Sequence, residues 1–444
     1  MHNTKSIKMK TLNIKLLLIA VLSFSLSSAQ QTPAPKQSKT IAITGATAHI
    51  GNGTVIENSI IIFEDGILKS VADMTMVKID MSGMEIIDAN GKHVYPGFIV
   101  PNSTLGLVEI SAVRATDDDS EMGSWNPHIR SLIAYNAESK IIESMRPNGV
   151  LLGQITPRGG RISGTSSVVQ FDAWNWEDAV IKEDDGIHMN WPNSFSRGRW
   201  WLGEDPAMKV NKDYDKQVTE ITDYFNATKT YIAGDKSSIH LPFEATNGLF
   251  NTSKTLYIHV DNEKGITDAI NFSKANTVSK TVIVGGYEAH KVANLLKQND
   301  IAVLLQRVHT RPSQTDDDYD MPFKLAKLLT DQGVTVALET SGQMERMNSR
   351  NLPFYAGTTV AYGLTKEQAL QLITLNPAKI LGIDNMYGTL EAGKSATLFI
   401  SEGDALDMRT NILTHAFIDG RLLSLDTHQT ELWERYSKKF ETQN

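Results

Sequence analysis

The sequence predicts an α/β protein in which a central block of parallel βα units lies between two β-rich flanks that join into one small sheet domain. Three observations carry this. Short apolar runs alternate with helical stretches from about residue 97 to 387, strand-and-turn character fills residues 40–96, and the same character returns over residues 388–425.

The N-terminal flank reads TIAITGATAHI, TVIENSIIIFEDGILKSVA and MEIIDANGKHVYPG, punctuated by Gly51-Asn52-Gly53, Asp65-Gly66 and Asn90-Gly91. Such glycine pairs mark turns between strands. Residues 44–53, TGATAHIGNG, superficially match a dinucleotide-binding loop. However, Ala48 stands at the middle position, and a second glycine turn rather than a helix follows Gly51. A hairpin is therefore the better account, because the fingerprint needs a helix N-terminus for the pyrophosphate.

In the central block LYIHV (256–260), TVIVGG (281–286), IAVLLQ (301–306) and VTVALET (334–340) are apolar strands, separated by the helical stretches KGITDAINFSKA, YEAHKVANLLKQ and PFKLAKLLTDQG. Strands of this kind with intervening helices indicate a parallel sheet covered on both faces. Upstream, RSLIAYNAESKIIESM (131–146) predicts an amphipathic helix stopped by Pro147 and Gly149, and GVLLGQIT follows as a buried strand. NLPFYAGTTVAYG and TKEQALQLITLNPAKILG close the block as helices, and TELWERYSKKF forms a C-terminal helix within residues 426–444.

Residues 158–240 interrupt this rhythm. RGGRISGTSSVVQFD reads as a glycine-rich hairpin, Trp174, Trp176, Trp191, Trp200 and Trp201 fall in an irregular stretch, and KVNKDYDKQVTEITDYFNATKTYI is a long polar helix. An insertion of this size commonly sits at a functional face. The tryptophans suit a lid, a partner surface or core packing.

The first 29 residues are a separate object. Lys5, Lys8, Lys10 and Lys15 precede the apolar run Leu16 to Leu26, and Ser27-Ser28-Ala29 offers a small-residue cleavage site. This predicts a secretory signal peptide cleaved near Ala29, an exported protein of the periplasm or the extracellular space, and a flexible lead-in over residues 30–39. No later run approaches the roughly 18 apolar residues of a membrane helix. Removing the leader takes away four lysines and no acid, moving the formal charge from -8 to -12. Such an acidic chain lacks the basic face that nucleic acid requires. With no cysteines, thiol nucleophiles and Cys-ligated zinc are excluded.

The order of GKHVYPGFI (91–99), LTKEQALQLITLNPAKILGI (364–383), GTLEAGKSATLFI (388–400) and FIDGR (417–421) resembles the amidohydrolase superfamily, in particular its exported, imidazolonepropionase-like members. The resemblance implies a (β/α)8 TIM-like barrel over residues 97–387, a small β-sandwich composed of residues 40–96 and 388–425, and hydrolysis of non-peptide, cyclic amide-type C–N bonds in a small-molecule substrate. It also implies a divalent metal such as zinc, held by His-x-His at the end of strand one, histidines ending strands five and six, and an aspartate ending strand eight. Strands three and four are expected within or near residues 165–240.

Against that pattern, Asn102 and Thr104 stand at the strand-one positions and Ser341 at the aspartate's place. His259 matches the strand-five ligand, strand six ends in Gly285-Gly286, and strand four shows no counterpart of a bridging lysine or glutamate. One histidine does not make a catalytic zinc site, which keeps three protein ligands and a water. Strand ends are where barrels place their chemistry. His259, His309 and Glu339 are therefore the catalytic candidates, and Arg158, Arg161, Arg307, Arg311 and Arg346 the candidates for binding an anion. The acidic runs Asp117–Asp119 and Asp316–Asp318 are alternative ion-pair partners for those arginines. The residues leave three functional readings open: a hydrolase with a rearranged or mononuclear metal site that includes His259, a non-catalytic barrel that binds an anionic ligand or accompanies an active paralogue as a homo- or hetero-oligomer, or a metal-free chemistry by the Arg/His/Glu group.

Overall fold

The computed structural model describes residues 32–205, 207–236 and 238–441; the expected leader and its expected cleavage point near Ala29 lie outside the described residues. Within the compact unit that begins at Ala34, eight strands form the barrel. They are β1 (Phe98–Ser103), β2 (Val150–Ile155), β3 (Ile162–Gln170), β4 (Val180–Asn190), β5 (Thr255–Val260), β6 (Thr281–Gly285), β7 (Ala302–Leu305) and β8 (Val336–Leu338). They neighbour one another in chain order. Between β8 and β1 the ring is completed by main chain from a connecting segment: Leu338 N donates to the Leu372 carbonyl and Ile99 N to that of Ile373.

Seven strands run the same way, and β3 runs against both β2 and β4. The eight-stranded barrel expected from the resemblance is present, and it departs from a regular (β/α)8 only in the antiparallel β2–β3–β4 stretch. Its cause is local. The loop over residues 156–161, with Gly159 and Gly160 at positive φ, is too short for a parallel crossover, which needs a dozen or more residues. The glycine-rich stretch is therefore a hairpin, as its composition indicates, and its second arm serves as barrel strand three. The insertion proper begins only after β4. It contains a two-stranded hairpin, Phe195–Arg197 with Met208–Val210, and the helices Tyr214–Ala233 and Leu241–Asn247.

The helix expected over residues 131–146 is also absent. Two 3-10 turns, Ser131–Ala134 and Arg146–Asn148, flank the single turn Lys140–Glu143. Asn136 Oδ1 accepts from Glu138 N at 3.1 Å and Ser139 Oγ from Ile141 N at 3.2 Å. Side chains that bond nearby backbone in this way compete with helical hydrogen bonds.

Helices over Glu263–Ala275, Met321–Asp331 and Leu352–Ala361 cover the β5–β8 side, each burying one apolar row in the barrel's cluster, for example Ile266, Ala269 and Ile270. The flanks meet in one eight-stranded sheet where Leu398–Ser401 pairs antiparallel with His93–Pro96. That sheet curls until Ile67 bridges Ser395, and its sides enclose Ile43, Ile61, Phe63, Leu398 and Phe417 like the two layers of a sandwich. The lead-in is tethered rather than loose: Ala34 N donates to Asp172 Oδ2 at 2.9 Å, and Gln37 joins the Phe63 carbonyl to Gly66 N. Polar main chain pinned by specific partners is not a free coil.

Candidate active site

Two polar networks occupy the end of the barrel where the parallel strands finish. The first joins β1 to the segment after β8. Asn102 is buried with φ of 51°, a left-handed conformation that asparagine tolerates better than most residues. Its amide is held from both sides. Arg158 Nη1 donates to Asn102 Oδ1 at 2.9 Å, and Asn102 Nδ2 donates to Glu339 Oε2 at 3.3 Å. Arg158 Nη2 donates to the Asn102 carbonyl at 2.9 Å and pairs with Glu345 Oε2 at 3.2 Å. The other Glu345 oxygen accepts from Thr104 N at 2.6 Å and Thr104 Oγ1 at 3.2 Å. Ser341 donates to Glu339 through its backbone N (2.5 Å) and Oγ (2.8 Å). Burial pushes the Glu339 carboxyl up to about 7 against the pull of these Ser341 hydrogen bonds, since a buried carboxylate loses its hydration.

The second network lies across β2 to β5. His259 Nε2 is 2.9 Å from His188 Nδ1, and His188 Nε2 is 3.0 Å from Ser166 Oγ. Ser166 donates to Asp185 Oδ1 at 2.7 Å, while Gln154 Nε2 and Tyr257 OH donate to Asp185 Oδ2 at 2.9 and 2.7 Å. His188 stacks on Tyr257 at 4.6 Å. This is possible because Gly186 carries no side chain: a Cβ there would lie 2.4 Å from Tyr257 Cε2. Burial drives both imidazoles toward the neutral form, with Arg158 adding repulsion, and His259 falls to about 3. The same burial raises Asp185.

A cavity of about 330 Å³ opens beside this network, walled by Asn190, His259, Asp261, Asn262, Gln306 and Ser341. Asp261 is open to the cavity although protein atoms crowd it, and that crowding raises its carboxyl. Trp191 forms part of the wall and is fixed by its Nε1–H bond to Tyr214 OH at 3.0 Å.

The sequence profile of the Amidohydrolase family matches residues 321–423. An imidazolonepropionase of Clostridium tetani is 21% identical over 387 residues, spanning 80% of this chain and 86% of that protein. A 5'-deoxyadenosine deaminase of Methanobrevibacter smithii is 22% identical over 384 residues, 80% of this chain and 81% of its own. Among solved structures, an amidohydrolase from Thermotoga maritima MSB8 superposes with a TM-score of 0.75 at 23% identity, covering 86% of this chain and 99% of that one.

The chain thus shares its fold with an amidohydrolase, and its residues 321–423 match the Amidohydrolase family.

The resemblance noted in the sequence implies a divalent metal, and the side chains present do not suit one. Among the described residues, no three of His, Cys, Asp and Glu are grouped to hold a metal ion. Asn102 and Thr104 are neutral donors committed to Glu339 and Glu345, the Ser341 hydroxyl is committed to Glu339, and His259 Nε2 faces His188. The Arg158 guanidinium is already a fixed cation close enough to both imidazoles to depress them, so a second cation would meet its repulsion.

Of the residues singled out in the sequence, His259, Glu339, Ser341, Asn102, Thr104 and Arg158 fall in or beside this region. His309 does not join His259. It bonds Thr358 Oγ1 at 2.8 Å, packs against Tyr355 and borders a different cavity with Lys366 and Asp404. The arginines do not converge either. Arg161 donates to the Asn190 carbonyl at 2.6 Å, Arg307 to that of Gln343 at 2.8 Å, and Arg346 to Ser111 Oγ, while Arg311 is exposed. An anion would find no cluster of free guanidinium groups among them. Of the acidic runs, Asp317 accepts from Tyr287 OH and Asp318 pairs with Lys324 at 3.1 Å.

His188, Asp185, Ser166 and Gln154 were missed by the sequence reading. The polar middle of β4, KEDDG, splits the strand between Val180-Ile181 and the short run IHM and hides it. The one available signal was His188 itself, on a short apolar run flanked by Gly186 and Asn190.

Proposed function

We propose that this protein cleaves non-peptide, cyclic amide-type C–N bonds in a small polar substrate without a bound divalent metal. The observation that carries the reading is the Arg158 guanidinium, hydrogen-bonded to Asn102 and Glu345 and facing the neutral His188–His259 pair. It supplies fixed positive charge close enough to act on both imidazoles. The cavity is lined by carboxamides, a hydroxyl and a carboxyl, groups that match the donors and acceptors of a cyclic amide or imide. Imidazolonepropionase and 5'-deoxyadenosine deaminase relatives support a reaction at a C–N bond. In keeping with the N-terminal leader, the reaction takes place outside the cytoplasm.

The test is turnover of a panel of cyclic amides, imides and imidazolones by mature protein before and after exhaustive chelation, alongside elemental analysis. Expected are substoichiometric metal and activity unchanged by chelation. One or two tightly held metal ions per chain, with activity lost on their removal, would overturn the proposal. A second reading, a non-catalytic partner of an active paralogue, is favoured by the exposed apolar side chains Trp201, Leu202, Met208 and Val210 on the insertion hairpin. Binding without turnover, together with co-purification of a second amidohydrolase from the native source, would support it.

A further inference from the structure

The C-terminal helix, His428–Glu441, turns its apolar face away from the body. Its start is fixed. Thr427 is buried, its Oγ1 accepts from Thr430 N at 3.1 Å while its own N donates to Thr430 Oγ1 at 2.8 Å, and His428 N donates to Glu143 Oε1 at 2.8 Å. These bonds satisfy donors that a helix N-terminus leaves open, and they set the direction in which the helix departs. Beyond them, none of its residues is buried. The half-buried ones are Thr430, Leu432 and Ser437, whereas Trp433, Tyr436 and Phe440 are 71%, 57% and 62% exposed. Spacings of three and four residues put the three rings on one face. A helix that packs on a core buries such a row.

Cations accompany the rings. Over Trp433–Phe440 the sequence WERYSKKF carries Arg435, Lys438 and Lys439 against the single acid Glu434, in a chain whose formal charge is -8. The Arg435 guanidinium carbon lies 5.3 Å from the Tyr436 ring centroid, and Lys439 Nζ lies 5.8 Å from that of Phe440. Two of the charges are therefore held against the rings themselves. Because salt screens charge over about 8 Å at physiological ionic strength, this local excess acts apart from the acidity of the whole chain.

We propose that this face docks the protein on the surface of a lipid bilayer that carries anionic headgroups, with the rings at the headgroup boundary and the cations on lipid phosphates. Length excludes spanning: the 14 residues, at about 1.5 Å each, reach about 21 Å, short of the roughly 30 Å hydrocarbon core. Area argues against a second protein. Exposed as they are, the three rings together offer roughly 400 Å², about half of what each side of a stable protein–protein interface buries. A membrane surface sets no such minimum, because apolar insertion and attraction to headgroups add together. Trp and Tyr also favour that boundary, where the ring is dry and the N–H or O–H stays wet. Docking of this kind is independent of the chemistry in the barrel cavity.

The experiment is co-sedimentation of the protein lacking residues 1–29, whose apolar run would itself partition into lipid, with vesicles of phosphatidylcholine alone and of phosphatidylcholine mixed with phosphatidylglycerol. The wild type is expected to sediment with the mixed vesicles and only weakly with phosphatidylcholine. Trp433→Ser should weaken binding to the mixed vesicles about tenfold, and the triple variant Trp433→Ser/Tyr436→Ser/Phe440→Ser should abolish it. Arg435→Gln/Lys438→Gln/Lys439→Gln should bring binding down to the phosphatidylcholine level. Every substituted side chain is exposed, so the fold is retained, which circular dichroism checks. Equal sedimentation of the wild type and either triple variant, or none by the wild type, would overturn the proposal. So would a dimer in sedimentation velocity that the three-ring variant abolishes, since the face would then belong to a second copy of the chain.

Discussion

The two networks at the barrel mouth lie side by side and solve opposite problems. Between β1 and the segment after β8, Arg158, Glu345 and Glu339 place formal charges against one another, and each neutral side chain there is committed to one of them. Across β2 to β5 a run of neutral groups surrounds one carboxylate and no cation touches it. An ionic network is held in place by the cost of separating its charges, whereas a neutral chain of donors and acceptors reverses without moving its heavy atoms. The first is suited to fixing geometry, and the second holds one buried carboxylate by neutral donors alone.

The strongest way to break this contrast is Arg158→Leu. It strands Glu345, which is 7% exposed at its side chain, and removes a donor from Asn102; a loss of about 3 kcal/mol is expected from urea unfolding, since deleting one partner of a buried pair leaves the other uncompensated. His259 should become easier to protonate in the same variant, because Arg158 repulsion contributes to its low value. Unchanged stability would show that the pair is replaceable by solvent.

Glu339→Gln sharpens the comparison through pH. The folded value near 7 lies above the unfolded value of about 4.3. This group therefore stabilises the fold below about pH 4, and its contribution is lost as pH rises through 7. The wild type should lose about 3 kcal/mol from this group over that window, and the variant should not. The two histidines act in the opposite sense, since their depressed values contribute stability above about pH 6.5 that is lost on acidification, and they are common to both proteins. Parallel pH profiles would mean that Glu339 titrates normally.

Gly186→Ala tests the neutral side with a smaller effect. The added methyl meets Tyr257 Cε2 at 2.4 Å and the Thr255 carbonyl at 2.5 Å, and neither a buried ring nor a strand backbone can withdraw far. A cost of about 2 kcal/mol is expected, together with loss of the Tyr257–His188 stack, visible as a shift of the His188 ring signals.

Legibility in the sequence divides along similar lines. β5 to β8 are apolar runs between amphipathic helices, and their period reveals them directly; so do the glycine turns of the small sheet. β3 and β4 were obscured because their inward faces carry Ser166, Asp185 and His188 in place of aliphatic side chains, and a polar barrel interior erases the hydrophobic signal. The predicted helix at residues 131–146 failed for another reason: its apolar spacing was correct, while Asn136 and Ser139 redirected the backbone locally. Asn102, Thr104 and Ser341 could be flagged from the resemblance alone, but the commitment of Arg158 to Asn102 joins residues far apart in the chain and is visible only in three dimensions. The same holds for the separation of His309 from His259.

The backward course of β3 has a consequence for how the chain assembles. Residues 150–190 form an antiparallel meander whose strands follow one another with short connections, so its contacts close small loops and cost little chain entropy. A parallel barrel otherwise waits for distant segments to meet. Here an early, locally built wedge that already holds Ser166, Asp185 and His188 gives the remaining strands an edge on which to grow.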